Sequence, residues 1–158
     1  MAGGADVAEV EQALERLFRL TNSRKVDTRQ AAAVGAVVTR AGYAVLRSVD
    51  EAGELALGEL ARSCSMDPAA VSRQVKALEE DGFVERRAVE GDGRVAVVRL
   101  TPRGRAVYRR IVSVRQQHMG EVLAGWSSAD RHALSRLVGR LVDDLRAVPF
   151  RPATEGET

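Results

Sequence analysis

Apolar side chains recur at intervals of three and four residues along most of this chain, and that spacing predicts amphipathic helices. A first helix is expected over residues 6–31. Thr39 is suited to cap a second helix, because its hydroxyl can accept a hydrogen bond from a free backbone amide, and Gly53 is suited to end it. The first third of the chain is therefore predicted to be helical.

Two shorter helices follow in the centre of the chain. The third helix is predicted by an apolar stripe at positions i, i+3, i+4 and i+7, which consists of Leu57, Leu60, Ala61 and Cys64. Asp67 and Pro68 then combine a capping carboxylate with a proline at the first helical position, and Asp81-Gly82 ends the fourth helix. Two short helices joined by a tight turn are typical of a helix-turn-helix.

After the fourth helix the pattern changes to β-branched and apolar runs. Residues 83–87 and 95–100 form two such runs separated by Gly91-Asp92-Gly93, and this order predicts a β-hairpin with a flexible tip. Thr101-Pro102 repeats the cap-and-proline signal and opens a long helix through about Leu123.

A last helix is predicted from a cap at Ser127 or Ser128 to near Val148, where Pro149 stops it. The elements together predict a mainly α protein with a small β-hairpin wing (an α+β fold). Its winged helix-turn-helix core is flanked by N-terminal and C-terminal helices.

The net charge of +2 is spread unevenly along the chain. Residues 55–110 hold 11 Lys and Arg against 8 Asp and Glu, a net of +3. Residues 1–54 hold 7 against 8, a net of −1, and residues 111–158 hold 6 against 6. The positive excess lies on the helix-turn-helix and hairpin, and this favours a polyanionic partner such as DNA.

Other functional classes find little support in the sequence. No apolar run reaches the roughly 20 residues that span a bilayer, and the first residues do not resemble a secretory signal. A single cysteine suits a reducing compartment, so we expect a cytoplasmic protein. Neither His118 nor His132 has a second His or Cys three or four positions away, so no metal site and no cofactor are predicted. No arrangement of nucleophile, acid and base indicates an enzyme.

The fourth helix, residues 68–80, has the pattern of a DNA-recognition helix. Three apolar residues share one face within about 60° and are expected to pack on the third helix: Val71, Val75 and Leu78. The opposite face carries small and hydrogen-bonding side chains: Ala69, Ser72, Arg73 and Lys76. Arg73 can donate two bonds to guanine, Ser72 can reach a base or a phosphate, and Lys76 is placed for a phosphate. The same pattern also fits an ordinary amphipathic surface helix.

Arginines surround the predicted hairpin. Arg86 and Arg87 precede its tip and Arg94 follows it. Arg94 is suited to the minor groove, where a narrow A·T-rich segment attracts a guanidinium. Asp92 cannot favour DNA by charge and is expected to pair with an arginine and fix the loop. Arginines on an exposed hairpin could instead serve only to protect an edge strand from aggregation, but that alternative does not explain their position beside a capped helix-turn-helix.

These segments together resemble the multiple antibiotic resistance regulator (MarR) family. The resemblance is carried by Glu59-Leu60-Ala61, Val71-Ser72-Arg73, Leu78-Glu79, Gly82-Phe83-Val84, Arg86, Asp92-Gly93-Arg94 and Leu100-Thr101-Pro102-Arg103-Gly104. It is close over the central third, and the order and length of the outer helices extend it from about residue 6 to residue 147.

The resemblance implies a homodimeric winged-helix repressor that binds a palindromic operator in double-stranded DNA. It also implies release of the operator when a small molecule, often a phenolic or other aromatic compound, binds. By position it assigns base or phosphate contacts to Ser72 and Arg73 and minor-groove insertion to Arg94.

The domain boundaries follow from the predicted elements. We expect a disordered N-terminus (1–5), an N-terminal dimerisation helix and connection (6–38), a winged helix-turn-helix (39–101), C-terminal dimerisation helices (102–148) and a disordered tail (149–158). A domain of about 60 residues buries limited surface alone, so the apolar stripes of the outer helices are expected to pair with those of a second copy. A two-fold dimer would place two recognition helices about one DNA turn, roughly 34–36 Å, apart.

Two alternative functions stay open. Cys64 could be a peroxide-sensing thiol, which would make the chain a redox-sensing regulator, although a thiol buried in apolar surroundings is inert. The winged helix could also serve only protein–protein assembly. The apolar segment 31–39, AAAVGAVVT, departs from the more polar connection that the family leads us to expect. It leaves open where the first helix ends and how any effector cavity is shaped, and no effector residue is assigned.

Overall fold

The structure is a computed structural model that describes residues 3–21, 31–89 and 92–149; the side chains of residues 3–6, 89 and 92–95 lie outside this description. The helices are α1 (Gly3–Thr21), α2 (Arg40–Ala52), α3 (Leu57–Cys64), α4 (Pro68–Glu80), α5 (Pro102–Val122) and α6 (Ser128–Ala147). The strands are β1 (Glu54–Ala56), β2 (Val84–Val89) and β3 (Asp92–Leu100). Residues 31–34 are also helical and end at Gly35, whose φ is 70°.

The predicted caps lie where the helices begin and end. The Thr39 hydroxyl accepts from the backbone amide three residues on at 2.9 Å, and the Asp67 carboxylate does the same at 2.8 Å. Ser127, rather than Ser128, caps α6. Gly53 ends α2 with a φ of 84°, a left-handed conformation that glycine adopts without strain. These bounds confirm the predicted starts of α2, α4 and α6.

The start of the first helix was predicted too late. Helix α1 begins at Gly3, so residues 3–5 belong to it rather than to a disordered N-terminus. Apolar periodicity could not reveal this turn, because Gly3-Gly4-Ala5 carries no large apolar side chain. Residues 22–30, most of the C-terminal third of the predicted 6–31 helix, lie outside the described residues.

The three strands form an antiparallel sheet in the order β1-β3-β2. Strands β2 and β3 are the predicted hairpin. The loop between them is shorter than expected, because Val89 pairs with Asp92, a residue that the sequence had placed in the tip. Backbone hydrogen bonds continue the ladder past the apolar runs from which the strands were predicted. Strand β1 was not predicted at all, since three residues are too few to show an alternating pattern.

The core of the winged helix lies between helices α2, α3 and α4 and the inner face of the sheet. Its buried members are Val45, Leu46, Val49, Leu60, Ala61, Val71, Val75, Leu78, Phe83, Val84, Val98 and Leu100. The three apolar residues that the helical wheel placed on the inner face of α4 are all buried. Cys64, the last residue of the predicted stripe on α3, is only half-buried and packs at the edge of this core.

The base of the hairpin packs closely against the start of α5. The Thr101 hydroxyl donates to the carbonyl of Gly82 at 2.7 Å and accepts from the amide of Gly104 at 3.0 Å. A Cβ atom on Gly104 would lie 1.8 Å from the carbonyl oxygen of Phe83. Only glycine fits at this crossing, which explains the glycine that follows the Thr-Pro pair by two residues.

The apolar segment 31–39 is explained by its packing. Val34 is 2% exposed, and Ala36 and Val38 pack against the core of the winged helix. The Arg110 side chain on α5 donates from Nη1 to the carbonyl of Val34 at 3.1 Å. The segment is therefore packed along one side only, since Val37 is 79% exposed.

The chain divides into two compact units, residues 1–116 and 117–158. In the first unit, α1 exposes large apolar side chains, among them Val7, Val10, Leu17 and Phe18. In the second, α6 has no buried residue and exposes Leu134, Leu137, Val138, Val142 and Leu145.

None of the helices in the described part of the chain is long and apolar enough to cross a membrane.

Candidate DNA-binding surface

Helix α4 presents one polar face to solvent. Ala69 and Arg73 are exposed, Lys76 has a side chain that is 74% exposed, and Ser72 is half-buried on the flank of the helix. Lys76 lies 3.9 Å from Glu80, but both side chains are exposed, so this ion pair adds little to stability and leaves the ammonium accessible. All four side chains that sequence analysis assigned to this helix thus reach solvent at least in part.

A tight turn sets α4 against α3. Ser65 adopts a left-handed conformation with a φ of 51°, and the amide of Met66 donates back to the carbonyl of Ala61 at 3.0 Å. The Met66 side chain packs on the core. Asp67 then starts α4 at once, so only three residues separate the two helices. This is the short connection that a helix-turn-helix requires.

Arg86 joins the wing to the recognition helix. Its Nε lies 3.4 Å from the carboxylate of Glu79 on α4, and both side chains are more than half shielded from solvent. The DNA contact predicted for Arg86 stays a prediction, and the sequence had indicated no role for Glu79. The ion pair links the first strand of the hairpin to the last turn of α4, and the Arg86 side chain remains 34% exposed.

The remaining wing residues differ in what the structure describes. Arg87 is exposed on β2, directly opposite Val97 of β3. Asp92 and Arg94 have backbone in the first residues of β3, next to the hairpin tip, but their side chains lie outside the described residues. The expected pairing of Asp92 with an arginine therefore stays a prediction.

Thr39 has a second partner that the sequence did not reveal. Its hydroxyl, besides capping α2, lies 2.8 Å from Oε1 of Gln74 on α4. The two residues are 35 positions apart, so no local pattern could have indicated the contact.

Cys64 lies beside two serine hydroxyl groups. Its Sγ is 3.5 Å from Oγ of Ser48, which in turn accepts from the Ser63 hydroxyl at 2.8 Å. A reactive thiolate is usually stabilised by a nearby cation or a helix N-terminus, and Cys64 ends α3 instead of beginning a helix. In the described part of the chain, no group of three or more His, Cys, Asp or Glu is placed to hold a metal ion.

A capped helix-turn-helix joined to a β-hairpin defines the class: this is a winged-helix protein. The sequence profile of the MarR family matches residues 38–96. An HTH-type transcriptional repressor of Mycobacterium tuberculosis, Rv2887, is 31% identical over 102 residues, which are 65% of this chain and 73% of that protein. The HTH-type transcriptional regulator YdgJ of Bacillus subtilis is 29% identical over 111 residues, 70% of this chain and 68% of that protein.

A solved structure with the same fold contains DNA. A single-site mutant of MarR from E. coli, complexed with operator DNA, superposes with a TM-score of 0.65 at 27% identity and covers 82% of this chain and 93% of that one. The chain belongs to the MarR family. It is a DNA-binding transcriptional regulator and not an enzyme, and its fold confirms the winged helix that the sequence predicted.

Proposed function

We propose that this protein is a homodimeric repressor that binds a palindromic operator through α4 and the wing and releases it when a small aromatic effector binds. The observation that carries the proposal is the arrangement of α4 beside the hairpin. One polar helix face is free of packing, and the neighbouring strand β2 is held against the same helix by the shared apolar core, with the Arg86–Glu79 ion pair beside it. Two elements fixed in this way can enter adjacent grooves of one duplex.

The residue roles follow from chemistry and position on the helix. Arg73 lies at the centre of the exposed face and is proposed to contact a guanine edge, while Ser72 on the flank contacts a base or a phosphate. Ala69 is small and lets the helix backbone approach the bases. Lys76, one turn further from the N-terminus, neutralises a phosphate.

The wing contributes the second set of contacts. Arg94 follows the hairpin tip and is proposed to enter the minor groove, with Asp92 fixing its loop. Arg87 is exposed on the strand and is proposed to contact the DNA backbone. Arg86, whose side chain is 34% exposed beside Glu79, is also proposed to contact the DNA backbone.

Dimerisation is proposed to use the outer helices. The apolar side chains of α1 and α6 are exposed within a single chain, and large exposed apolar surfaces in water mark interaction sites. A two-fold axis between two copies would cover these faces and would space two recognition helices by about 34–36 Å, one turn of DNA.

The effector is proposed to be a phenolic or other aromatic compound, and aromatic side chains that could stack on one lie in the first unit. The rings of Tyr43 and Tyr108 are 5.9 Å apart, and the guanidinium of Arg115 lies 4.5 Å from the centre of the Tyr43 ring. Such a ligand would release DNA only to the extent that it binds the DNA-free dimer more tightly than the DNA-bound one. A transcription regulator with these partners acts in the cytoplasm, where the chromosome is.

The proposal is tested by selecting duplexes from a random pool with the purified protein and sequencing them. We expect an inverted repeat with half-sites about one helical turn apart. Fluorescence anisotropy with the selected duplex should give an affinity that falls steeply with salt, because each neutralised phosphate contributes about 0.9 to the slope of log K against log salt. Light scattering should give the mass of a dimer. A monomer without affinity for any duplex at low salt would contradict the proposal.

A further inference from the structure

The hydrogen bond between Thr39 and Gln74 points to a DNA-binding residue on the flank of α4, outside the exposed face described above. The Thr39 hydroxyl accepts from the amide of Gly42 at 2.9 Å and lies 2.8 Å from Oε1 of Gln74. A hydroxyl has one proton, and here Thr39 donates it to the Gln74 amide oxygen. The Gln74 Nε2, with its two N–H donors, therefore points away from Thr39, and within the described residues it has no protein partner.

Gln74 occupies the flank of α4 that mirrors Ser72. At 100° per residue, Ser72 and Gln74 lie on opposite sides of Arg73, each rotated by about 100° from it. Both are half-buried, whereas Arg73 is exposed. A helix in the major groove has phosphates along both of its sides and base edges in front of it. Polar side chains on the two flanks therefore meet the two phosphate rows.

We infer that Gln74 donates a hydrogen bond from Nε2 to a phosphate of the operator, and that Thr39 is the positioning residue that keeps these donors turned toward the DNA. The inference deepens the proposed function and rests on it, since it assumes that α4 enters the major groove. A neutral donor differs from the arginines and lysine of the same surface, because it strengthens binding without releasing a counterion.

The inference is tested with single variants of the full-length protein, titrated against the selected operator and a scrambled duplex at several salt concentrations. Gln74→Met keeps the length of the side chain but removes the amide. We expect it to weaken binding by roughly three- to tenfold on both duplexes, the loss of one net hydrogen bond. The slope of log K against log salt should not change.

Two further variants test the two residues, and a third is a matched control. Gln74→Glu still accepts from Thr39 but faces the phosphate with a negative charge, so it should weaken binding more than Gln74→Met does. Thr39→Ser keeps the hydroxyl and should bind as the natural sequence does. Gln116→Met makes the same replacement at an exposed position of α5 and serves as the matched control.

The outcomes distinguish this inference from the proposed function. If the natural protein binds no duplex, the proposed function fails. If it binds and Gln74→Met binds equally well, the inference alone is overturned. A loss confined to the selected operator would assign Gln74 to a base and overturn the phosphate contact. If Gln74→Met lowers the melting temperature but leaves the affinity for DNA unchanged, the Thr39–Gln74 contact only stabilises the packing of α2 against α4.

Discussion

The winged helix and the outer helices have the same apolar periodicity, but the apolar side chains are buried in the first and exposed in the second. In the winged helix the stripes of α2, α3 and α4 meet one another and the sheet, and their large apolar side chains are almost completely buried. In α6 an equally regular stripe stays open, with Leu137 52% exposed and Leu145 61% exposed. The periodicity of a helix therefore predicts which face is apolar, but it does not predict whether the same chain covers that face.

The difference has an energetic meaning. Burying an apolar side chain stabilises a protein by about 25 cal/mol for each Å² removed from water, and the winged helix obtains this stabilisation within one chain. The exposed stripes on α1 and α6 obtain it only when something else covers them. Stability of the winged helix and assembly through the outer helices should therefore respond to different substitutions, and the following predictions separate the two.

The largest effect on stability is expected inside the winged helix, where the base of the hairpin crosses α5. In Gly104→Ala the new methyl group would lie 1.8 Å from the Phe83 carbonyl oxygen, so the backbone itself must move. Overpacking of this kind should destabilise the winged helix by about 3 kcal/mol. Thermal and urea unfolding followed by circular dichroism measure the change.

Gly120 on the same helix provides the matched control. A Cβ added there meets nothing within 4 Å. Gly120→Ala should instead stabilise the protein by up to about 1 kcal/mol, because alanine favours a helix interior over glycine. Equal effects of the two substitutions would show that the close approach at Gly104 does not determine the fold.

A substitution in the exposed apolar stripe of α6 should change dimerisation rather than the stability of the winged helix. Leu137→Glu places a charge in the apolar stripe of α6 and should weaken dimerisation by about 2 kcal/mol or more, as expected for a central interface residue. Sedimentation at several concentrations measures the monomer–dimer equilibrium. His132→Glu introduces the same charge at another exposed position of α6 and should leave the dimer intact. If Leu137→Glu stays fully dimeric, the stripe on α6 is not the interface.

The wing should affect DNA binding without affecting either fold or assembly. We expect Arg94→Ala to weaken operator binding by about 1–3 kcal/mol, since one guanidinium contact in the groove is lost. Anisotropy titration measures the affinity and light scattering the dimer mass. Arg131→Ala, which removes an exposed arginine from α6, is the control. An unchanged affinity of Arg94→Ala would remove the wing from the mechanism.

The smallest effect concerns Tyr108, where the winged helix meets α5. Partial burial, and secondarily the neighbouring Tyr43 and Asp50, raise the pKa of Tyr108 above its ordinary value of 10.0. The folded state then holds the phenolic proton more tightly than the unfolded state, so this contribution to stability is complete below pH 10 and is lost as the pH rises through the folded pKa. Tyr108→Phe should lose less stability than the natural protein between pH 9 and pH 11. Parallel curves in urea titrations over that range would contradict the assignment.

Features determined by neighbouring residues could be predicted from the sequence. Thr39, Asp67 and Gly53 lie at their predicted caps because a cap depends on the side chain and the few amides or carbonyls beside it. The inner face of α4 could also be predicted, because it depends only on the spacing of apolar residues within the helix. The MarR resemblance added the family, which the comparisons confirm.

Features determined by distant residues could not be predicted. Strand β1 exists because β3 offers a free edge to three residues, and Ala36 and Val38 in the segment 31–39 pack on the core. The pairing of Arg86 with Glu79 is a further contact between residues that no local pattern brings together.

The packed connection between residues 31 and 39 has a mechanical consequence. At one end its Val34 carbonyl is held by Arg110 of α5, and at the other its Thr39 hydroxyl is bound to Gln74 of the recognition helix. These two hydrogen bonds make the connection a short physical link between α5 and the recognition helix. The first turn of α5 is itself fixed against the base of the hairpin, because Gly104 allows the close approach to Phe83.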